Sequence, residues 1–530
     1  MSSNDPARRP SLHLTRRQAL KTGVAGAAGV AAASSVAGAT TRGPRRIALK
    51  HPAGPRPDLT KPAGTDLIPK IKNIVIVMLE NQSFDGILGT LTEAGSSAPR
   101  GNGLSWATPG ARPTNTNPDG KGGSIRSFKM PSTAQLDAQP WQTWGASWTQ
   151  FTGSPIAQTI PTDPAALNQG FVISNSGPIS MGYFGADQLT FTHSLAQTFP
   201  IADNWHCSVP AQTYPNRRYM MAGTSMGLLT TSFNVTSTMP SNGTIFEALM
   251  DHNISWKNYF CDNPSSLIWG GHASVPGFFD HLTSISTFFS DAAAGTLPAV
   301  SLVDPRFDFA SGENPQDLQH ADAFLHSVTT ALMKSPQWTH TVLLWTVDEH
   351  GGYYDHVPMA QVPDPGDVAP ILSDSDWHGS TSLATFGWTG FRVPTGVVSP
   401  YAKTDYVSTQ LYDHTSIMKL IEQKWNLPSF TARDEAANSP LDMVDLNAKP
   451  AFLKPPKLAK APVDTKGVRV STGIGSDTYP TADEVTYPDT NKMVAGKGKL
   501  RRQQFYTNRD GSPTAITTPY YEMLEASWSS

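Results

Sequence analysis

Cysteine is nearly absent: Cys207 and Cys261 are the only two in 530 residues. That is too few for a disulfide scaffold or a thiolate metal cluster, and leaves either one bridge or two buried free thiols. Beyond the N-terminus no apolar run reaches the roughly 18 residues that mark a membrane-spanning helix. Charge is sparse as well, with 16% charged against 38% hydrophobic residues, the balance of a soluble globular chain rather than a disordered one. The formal net charge is -3, and without residues 1–39 it becomes -7, from 35 basic and 42 acidic residues. A surface of that sign excludes nucleic acid as an expected partner. No internal repeat is visible.

Glycine and proline are plentiful, at 43 and 44 residues, which implies many ordered loops, and the 13 tryptophans imply aromatic packing or aromatic-lined surfaces. The length allows one large domain or two to three ordinary ones. Near the N-terminus Thr15-Arg16-Arg17-Gln18-Ala19-Leu20-Lys21 precedes a mild Ala/Gly/Val run over 22–36 and a small-residue ending, Ala37-Gly38-Ala39. This pattern looks like a twin-arginine export signal occupying 1–39. It makes the export machinery an expected partner and the periplasm or the exterior the expected location; the alternative is a basic tail that happens to hold two arginines.

Residues 40–70 are rich in Pro, Gly and Lys/Arg without apolar periodicity, and read as a linker or an extended arm. The folded domain is expected over 71–446. It opens on a near-continuous β-branched run, 71–79, the pattern of a strand buried on both faces of a parallel sheet. Further strands are expected at 341–347 and 392–398, and helices at 180–196, 244–251, 320–335 and 415–425. Strands alternating with helices imply a layered α/β fold. Between them, 95–164 reads as a long insertion over the sheet, with Trp141, Trp144 and Trp148 forming either a packed lid or a lipid-facing surface. From 447 to 530 the chain is a Pro/Lys-rich linker and a polar tail.

In an open α/β sheet, ligands gather beyond the carboxyl ends of the strands. Two of the expected strands run there into acids, Glu80-Asn81-Gln82-Ser83-Phe84-Asp85 and Asp348-Glu349-His350-Gly351-Gly352-Tyr353-Tyr354-Asp355-His356. Carboxylates with an amide oxygen suit a hard or borderline divalent cation, be it zinc, calcium, magnesium, manganese or iron. By spacing alone the same acids would serve equally as helix caps or surface ion pairs.

Together with Thr213-Tyr214-Pro215-Asn216-Arg217, these strings resemble the phosphoesterase family that contains bacterial phospholipases C, plant non-specific phospholipase C and secreted acid phosphatases. Further matches are His206-Cys207-Ser208-Val209-Pro210, Ala294-Gly295-Thr296-Leu297-Pro298 and Tyr412-Asp413-His414-Thr415-Ser416, in family order. The resemblance implies an alkaline-phosphatase-like fold, a central mainly parallel sheet flanked by helices. It also implies a metal held by Glu80, Asn81, Thr213, Asp348 and Glu349. Thr213 is then the nucleophile, since a hydroxyl needs metal coordination to become an alkoxide at neutral pH, and Asn81 adds its amide to phosphate binding.

Relatives use histidines to bind phosphate and protonate the leaving alcohol, and here the chain departs. Gln142 and Asn314 stand at two such positions, able to bind phosphate oxygens but not to deliver a proton. His272 and His356 remain as candidate acids, with a loop or core role as the alternative for each. Arg217 reads as readily as an ion pair as a phosphate binder, and His350 as a neighbour of the acidic pair, not a ligand. The expected activity is hydrolysis of phosphodiesters such as phospholipid head groups. The alternatives are a phosphatase of monoesters and a non-catalytic binder of phosphoryl ligands; a sulfatase-like enzyme is a lesser third reading, disfavoured by the lack of a Cys-x-Pro-Ser-Arg string.

Overall fold

A computed structural model describes residues 44–461 apart from 48, 50–52, 94–98, 131–132, 134, 136–139, 232–237, 308, 315, 367, 373–378 and 380–382. The expected export signal and the tail beyond residue 461 lie outside the described residues. The central sheet has eight strands: β1 (Asn73–Leu79), β2 (Ile201–Ala202), β3 (Trp256–Phe260), β4 (Leu282–Ser284), β5 (Val300–Val303), β6 (Thr341–Val347), β7 (Gly396–Val398) and β8 (Val407–Ser408). Their spatial order is β4-β3-β5-β1-β6-β7-β2-β8, and only β7 runs against the rest. β1 and β6 sit side by side at the centre, and every residue of both is buried. That is why their sequences are apolar without alternation.

The helices are α1 (Phe84–Leu88), α2 (Trp144–Thr152), α3 (Thr190–Thr198), α4 (Thr213–Ala222), α5 (Ile245–Asp251), α6 (Ile285–Ala294), α7 (Leu318–Lys334), α8 (Thr415–Trp425) and α9 (Ala432–Ala436). They flank the sheet in two packed groups, α3 and α6 against α7, and α4 and α9 against α8 with α5 beside α4. The expected mixed α/β fold with a mainly parallel sheet is therefore present.

Two expected elements differ. The helix expected over 180–196 begins only at Thr190, because Gly182–Tyr183 pairs in parallel with Phe128–Lys129 and the Asp322 carboxylate accepts from the backbone N–H groups of Phe191 and Thr192, fixing the helix start there. The strand expected over 392–398 shrinks to Gly396–Val398, since Pro394 has no N–H for a ladder and Arg392 is drawn elsewhere. The arm before β1 lies on the end of α8: Gly64 and Leu67 donate their N–H groups to the carbonyls of Trp425 and Lys424, and Asn426 binds Asp58, Lys61 and Pro62. Cys207 and Cys261 are both buried, and no disulfide joins them.

Candidate active site

Leu79 and Val347 are register partners at the ends of β1 and β6, so Glu80-Asn81 and Asp348-Glu349 leave the sheet side by side. Asn81 turns the chain with φ 57, a left-handed conformation that asparagine tolerates better than most residues. Its N–H then donates to Asp348 Oδ1 at 3.2 Å, and the Gln82 N–H donates to the Glu349 carbonyl at 3.0 Å. Gly351 and Gly352 follow with φ 65 and 79. A Cβ on Gly351 would lie 2.4 Å from the Asn81 carbonyl oxygen, and one on Gly352 would lie 2.6 Å from the Trp141 nitrogen. Only glycine lets both segments close on the acidic pair.

The Trp-rich insertion therefore covers the strand ends more than the sheet face. It brings the Pro140-Trp141 backbone against the Gly352 turn and leaves the next residue, Gln142, buried, while Trp144 and Trp148 pack against Phe386 and Trp388. Trp141 stays 47% exposed. Asn314 also reaches this region, accepting from the Tyr353 hydroxyl at 3.2 Å, and its loop is tied to the strand end by the Glu80 N–H donating to the Ser311 carbonyl at 2.7 Å.

Thr213 is the first residue of α4 and is buried. The rest of its motif explains how it is held. Pro215 falls in the first turn, where no intrahelical N–H bond is lost. Asn216 clamps the preceding loop, accepting from the Val209 N–H at 3.0 Å and donating to the Ala211 carbonyl at 2.8 Å. Arg217, one turn after Thr213 on the same helix face, donates from Nε to Asp348 Oδ2 at 3.0 Å and from Nη2 to the carbonyls of Met78 and Leu79 at 3.0 and 2.9 Å. The helix start is thus bolted to the ends of both central strands, and Arg217 is the ion pair that sequence left open. His414, from the Tyr412-Asp413-His414 string, donates from Nε2 to the Asp348 carbonyl at 2.7 Å.

The histidines divide. His272 is in the core: its Nε2 and Nδ1 bond Thr244 Oγ1 at 2.9 Å and the Ser266 carbonyl at 2.7 Å, and its ring stacks on Phe278. Burial pushes its pKa down to about 3. With both nitrogens engaged, it has no proton to offer a leaving group, so the expected acid role is withdrawn. His356 is partly exposed and bonds Asp85 Oδ2 through Nδ1 at 2.8 Å and Asn102 Oδ1 through Nε2 at 3.0 Å. Burial works against its cation, but the Asp85 carboxylate more than offsets this and its pKa is raised.

Sequence reasoning missed two features. Arg392 donates to Asp355 Oδ1 at 2.8 Å and Asp85 Oδ1 at 3.2 Å, drawing both motif carboxylates into one buried cluster; nothing in the local sequence marks the three as partners. Asp304, directly after β5, is a third acid at a strand end, and burial raises its pKa. It accepts from Asn258 Nδ2, the Ser265 N–H and Ser265 Oγ at 2.7, 2.7 and 2.8 Å, which marks it as a structural tie. The Ala294-Gly295-Thr296-Leu297-Pro298 string announces its strand, Val300–Val303, but nothing local marks Asp304 as the partner of Asn258 and Ser265.

A divalent ion fits the strand-end set. Asn81 is wholly buried, and neither Oδ1 nor Nδ2 of its side chain has a hydrogen-bond partner among the described residues. Leaving such an amide unsatisfied costs about 1–3 kcal/mol, a cost that a cation on Oδ1 would offset. The neighbouring residues Asp348 and Glu349 bring carboxylates, the chemistry of a hard or borderline ion. Asp85, Asp355 and His356 could also hold a metal ion, with one donor atom from each within 4.8 Å of the others. That group carries the Arg392 guanidinium as its counter-charge, just as Asp348 carries Arg217.

Burial also makes a pH prediction. His193, His206 and His414 are pushed down to about 4 by burial. With His272 they stay neutral in the fold but gain protons near 6.5 once unfolded. Their stability contribution is therefore complete above about pH 6.5 and is lost as pH falls, by up to about 1.4 kcal/mol per unit per group. Burial lowers His326 and His350 in the same way, which makes six such histidines, while His356 and the buried Asp322 and Glu422, all with raised pKa values, act oppositely. Calorimetric melts should show a falling Tm from pH 7 to pH 5; a flat or rising Tm would contradict this reading.

A hydroxyl at a helix start, bolted to paired acids at the carboxyl ends of parallel strands, is the equipment of an α/β enzyme of phosphoryl chemistry. The sequence profile of the Phosphoesterase family matches residues 71–428, and the chain belongs to that family. It is a hydrolase acting on phosphate esters. Among curated proteins it is similar to non-specific phospholipase C3 of Arabidopsis thaliana, 28% identical over 76% of this chain and 79% of that one. Non-specific phospholipase C6 of the same plant is 30% identical over 71% and 72%, and phospholipase C A of Mycobacterium tuberculosis 29% identical over 68% and 73%. A solved structure from the alkaline phosphatase superfamily of Vibrio parahaemolyticus aligns over 80% of this chain and 79% of that one at 10% identity, with a TM-score of 0.33.

Proposed function

We propose that the chain is an exported, metal-dependent phosphoesterase that cleaves phosphodiesters, with phospholipid head groups as the favoured class and Thr213 as nucleophile. The observation that carries this reading is the Arg217 bolt, which ties the turn bearing Thr213 to Asp348 and to the end of β1. A divalent ion held by Glu80, Asn81, Thr213, Asp348 and Glu349 would supply acidification of the hydroxyl and charge neutralisation at the phosphoryl oxygens.

The remaining work falls to the chain. Thr213 Oγ forms a bond to phosphorus as the bond to the leaving alcohol breaks; the alcohol takes up a proton, and water then releases the phosphoryl group from Thr213 and restores its hydroxyl. The start of α4 presents backbone N–H groups to the incoming anion. Asn81, Gln142 and Asn314 offer amides to phosphate oxygens, and His356, charged through its raised pKa and partly exposed where buried His272 is neutral, is the assigned proton donor, exchanging the Asn102 contact of its Nε2 for the leaving alcohol. Two observations support a lipid class: the names of the similar phospholipases, and the exposed indole of Trp141 beside the Gly352 turn. Export rests on the twin-arginine pattern of 1–39.

Steady-state turnover tests the substrate class. Purified protein, chelated and then resupplied with metal, is expected to release para-nitrophenol from para-nitrophenyl phosphorylcholine faster than from para-nitrophenyl phosphate, and only with metal. Preference for the monoester would make it a phosphatase. Turnover of neither ester with metal bound would favour a binding role.

A further inference from the structure

Glu422 on α8 is 1% exposed, yet neither of its carboxyl oxygens meets a hydrogen-bond donor among the described residues. It faces Asp434 on α9, a second wholly buried carboxyl. Asp434 is the N3 residue of a capping box: its Oδ1 accepts from the Thr431 N–H at 2.8 Å and the Thr431 hydroxyl at 2.5 Å, and its Oδ2 from the Phe430 N–H at 2.6 Å. Burial raises Asp434 against the pull of those bonds, and Glu422 has no such bonds to favour its charge. Two facing carboxylates out of reach of water repel, so one proton lies between them, and Glu422 is the group that carries it.

The one cation near Glu422 is not close enough to replace that proton. Lys419 Nζ is 3.7 Å from Glu422 Oε2, beyond hydrogen-bond reach, and donates to the Glu435 carbonyl at 2.9 Å. On α9 the Arg433 guanidinium is turned to Asp413, and the Glu435 carboxylate lies against Gly54 of the arm. Asp66 of the arm pairs with Lys424, and the turn after α4 brings the Gly223 carbonyl within 3.2 Å of the Thr431 hydroxyl. Burial first, and then the Asp434 charge, push the Glu422 carboxyl well above the usual range.

Arg433, beside Asp434, shows what this contact secures. Buried over the Tyr219 ring, it donates to the carbonyls of Pro363 at 2.7 Å, Ser208 at 2.9 Å and Phe386, and to Asp413 Oδ2 at 2.9 Å. Ser208 precedes Val209, which Asn216 clamps ahead of Thr213; Phe386 packs on Trp144; Asp413 precedes His414, which bonds the Asp348 carbonyl. One guanidinium thus holds three segments that border the candidate site. Its helix, α9, has only five residues and depends on its neighbours to persist.

We propose that Glu422 and Asp434 form a proton-dependent latch: the shared proton fastens α9 to α8 so that Arg433 holds the borders of the site, and its loss sets two buried carboxylates against each other and frees α9. Glu422 is then a positioning residue that acts through Asp434 and Arg433. A carboxyl whose proton is favoured in the fold contributes its stability in full below its ordinary value of about 4.5 and loses it as pH rises towards the folded value. Alkaline conditions therefore open the latch. Its effect on turnover rests on the phosphoesterase reading above, whereas the latch itself does not.

The test compares the wild type with Glu422→Gln, whose amide donates to Asp434 at any pH, and with Asp434→Asn, which removes the opposing charge. Hydrogen exchange at the Phe430 and Thr431 amides, corrected for its intrinsic rise with pH, reads the latch independently of activity. Near-UV circular dichroism confirms folding, and Asp434→Asn carries the comparison if Glu422→Gln does not fold. Wild-type protection at both amides should fall reversibly on the alkaline side, by up to about tenfold per pH unit, and stay level in the variants. His356 gives turnover an alkaline limb in all three proteins, so the latch appears as an additional loss of kcat in the wild type alone. The same exchange profile in the wild type and a folded variant would overturn the proposal, as would wild-type protection that stays level until global unfolding. A latch that opens as expected, with no phosphate ester turned over by any of the three, would stand while the phosphoesterase reading fell.

Discussion

Replacing Thr213 by alanine is expected to lower kcat on phosphate esters by at least about 10⁴-fold while metal affinity falls far less and the fold persists. The size follows from the role. A nucleophile takes part in every turnover, whereas a ligand hydroxyl is one donor among several around an ion. Thr213 is the first residue of α4, after the N-cap position Gln212, and its side chain is not the cap of that helix, so alanine removes no capping bond. The variant should lose no more than about 1–2 kcal/mol of stability. Equal loss of turnover and metal binding would make Thr213 a ligand only. Retained turnover would remove it from the chemistry.

Arg392→Met carries the largest expected cost in stability, about 3–5 kcal/mol in denaturant melts, because it removes the cation from a buried charge cluster. Arg392 is wholly buried, sits over the Phe84 ring at 4.4 Å and donates to Asp355, Asp85 and the carbonyls of Asn102 and Asp203. Without it, Asp85 and Asp355 face each other with only His356 to balance them. Burial pushes the Asp85 carboxyl up, but His356 and Arg392 together hold it below the usual range; Asp355 is raised by burial against the pull of Arg392. Asp85 follows the Glu80-Asn81 pair on one loop and Asp355 follows Asp348-Glu349 on the other, so loosening the cluster should also weaken metal retention. Arg392→Lys keeps the charge but not the fork and should fall between the two. A melt of Arg392→Met within about 1 kcal/mol of the wild type would show that the cluster does not hold the loops together.

The two central strands were legible because burial on both faces removes polar residues from 74–79 and 342–345 altogether. The acids at their ends were legible for the same reason, since a polar string stands out after such a run. β3 was hidden by Lys257 and Asn258: the lysine pairs with Asp291 at the surface and the asparagine holds Asp304 in the core. No local pattern announces partners of that kind. The same limit applies to Arg392, which finds Asp85 at a separation of 307 residues, and to His272, whose Gly-Gly-His spacing cannot reveal that Thr244 and Ser266 occupy its ring. Glycine was more informative than expected, since Gly351 and Gly352 sit where a Cβ would push Asn81 and Trp141 away from the acidic pair. Sequence therefore reported which groups the site contains, and tertiary contacts decided which of them are available.

The most direct test of the central claim is mass spectrometry of the enzyme quenched with acid during turnover of para-nitrophenyl phosphorylcholine. A nucleophilic Thr213 predicts phosphorylcholine bound covalently to the peptide that carries it, absent without substrate and absent in Thr213→Ala, and retained configuration at phosphorus in a chiral substrate. Steady turnover with Thr213 unmodified and configuration inverted would mean that water attacks the ester directly, which contradicts a covalent role for Thr213.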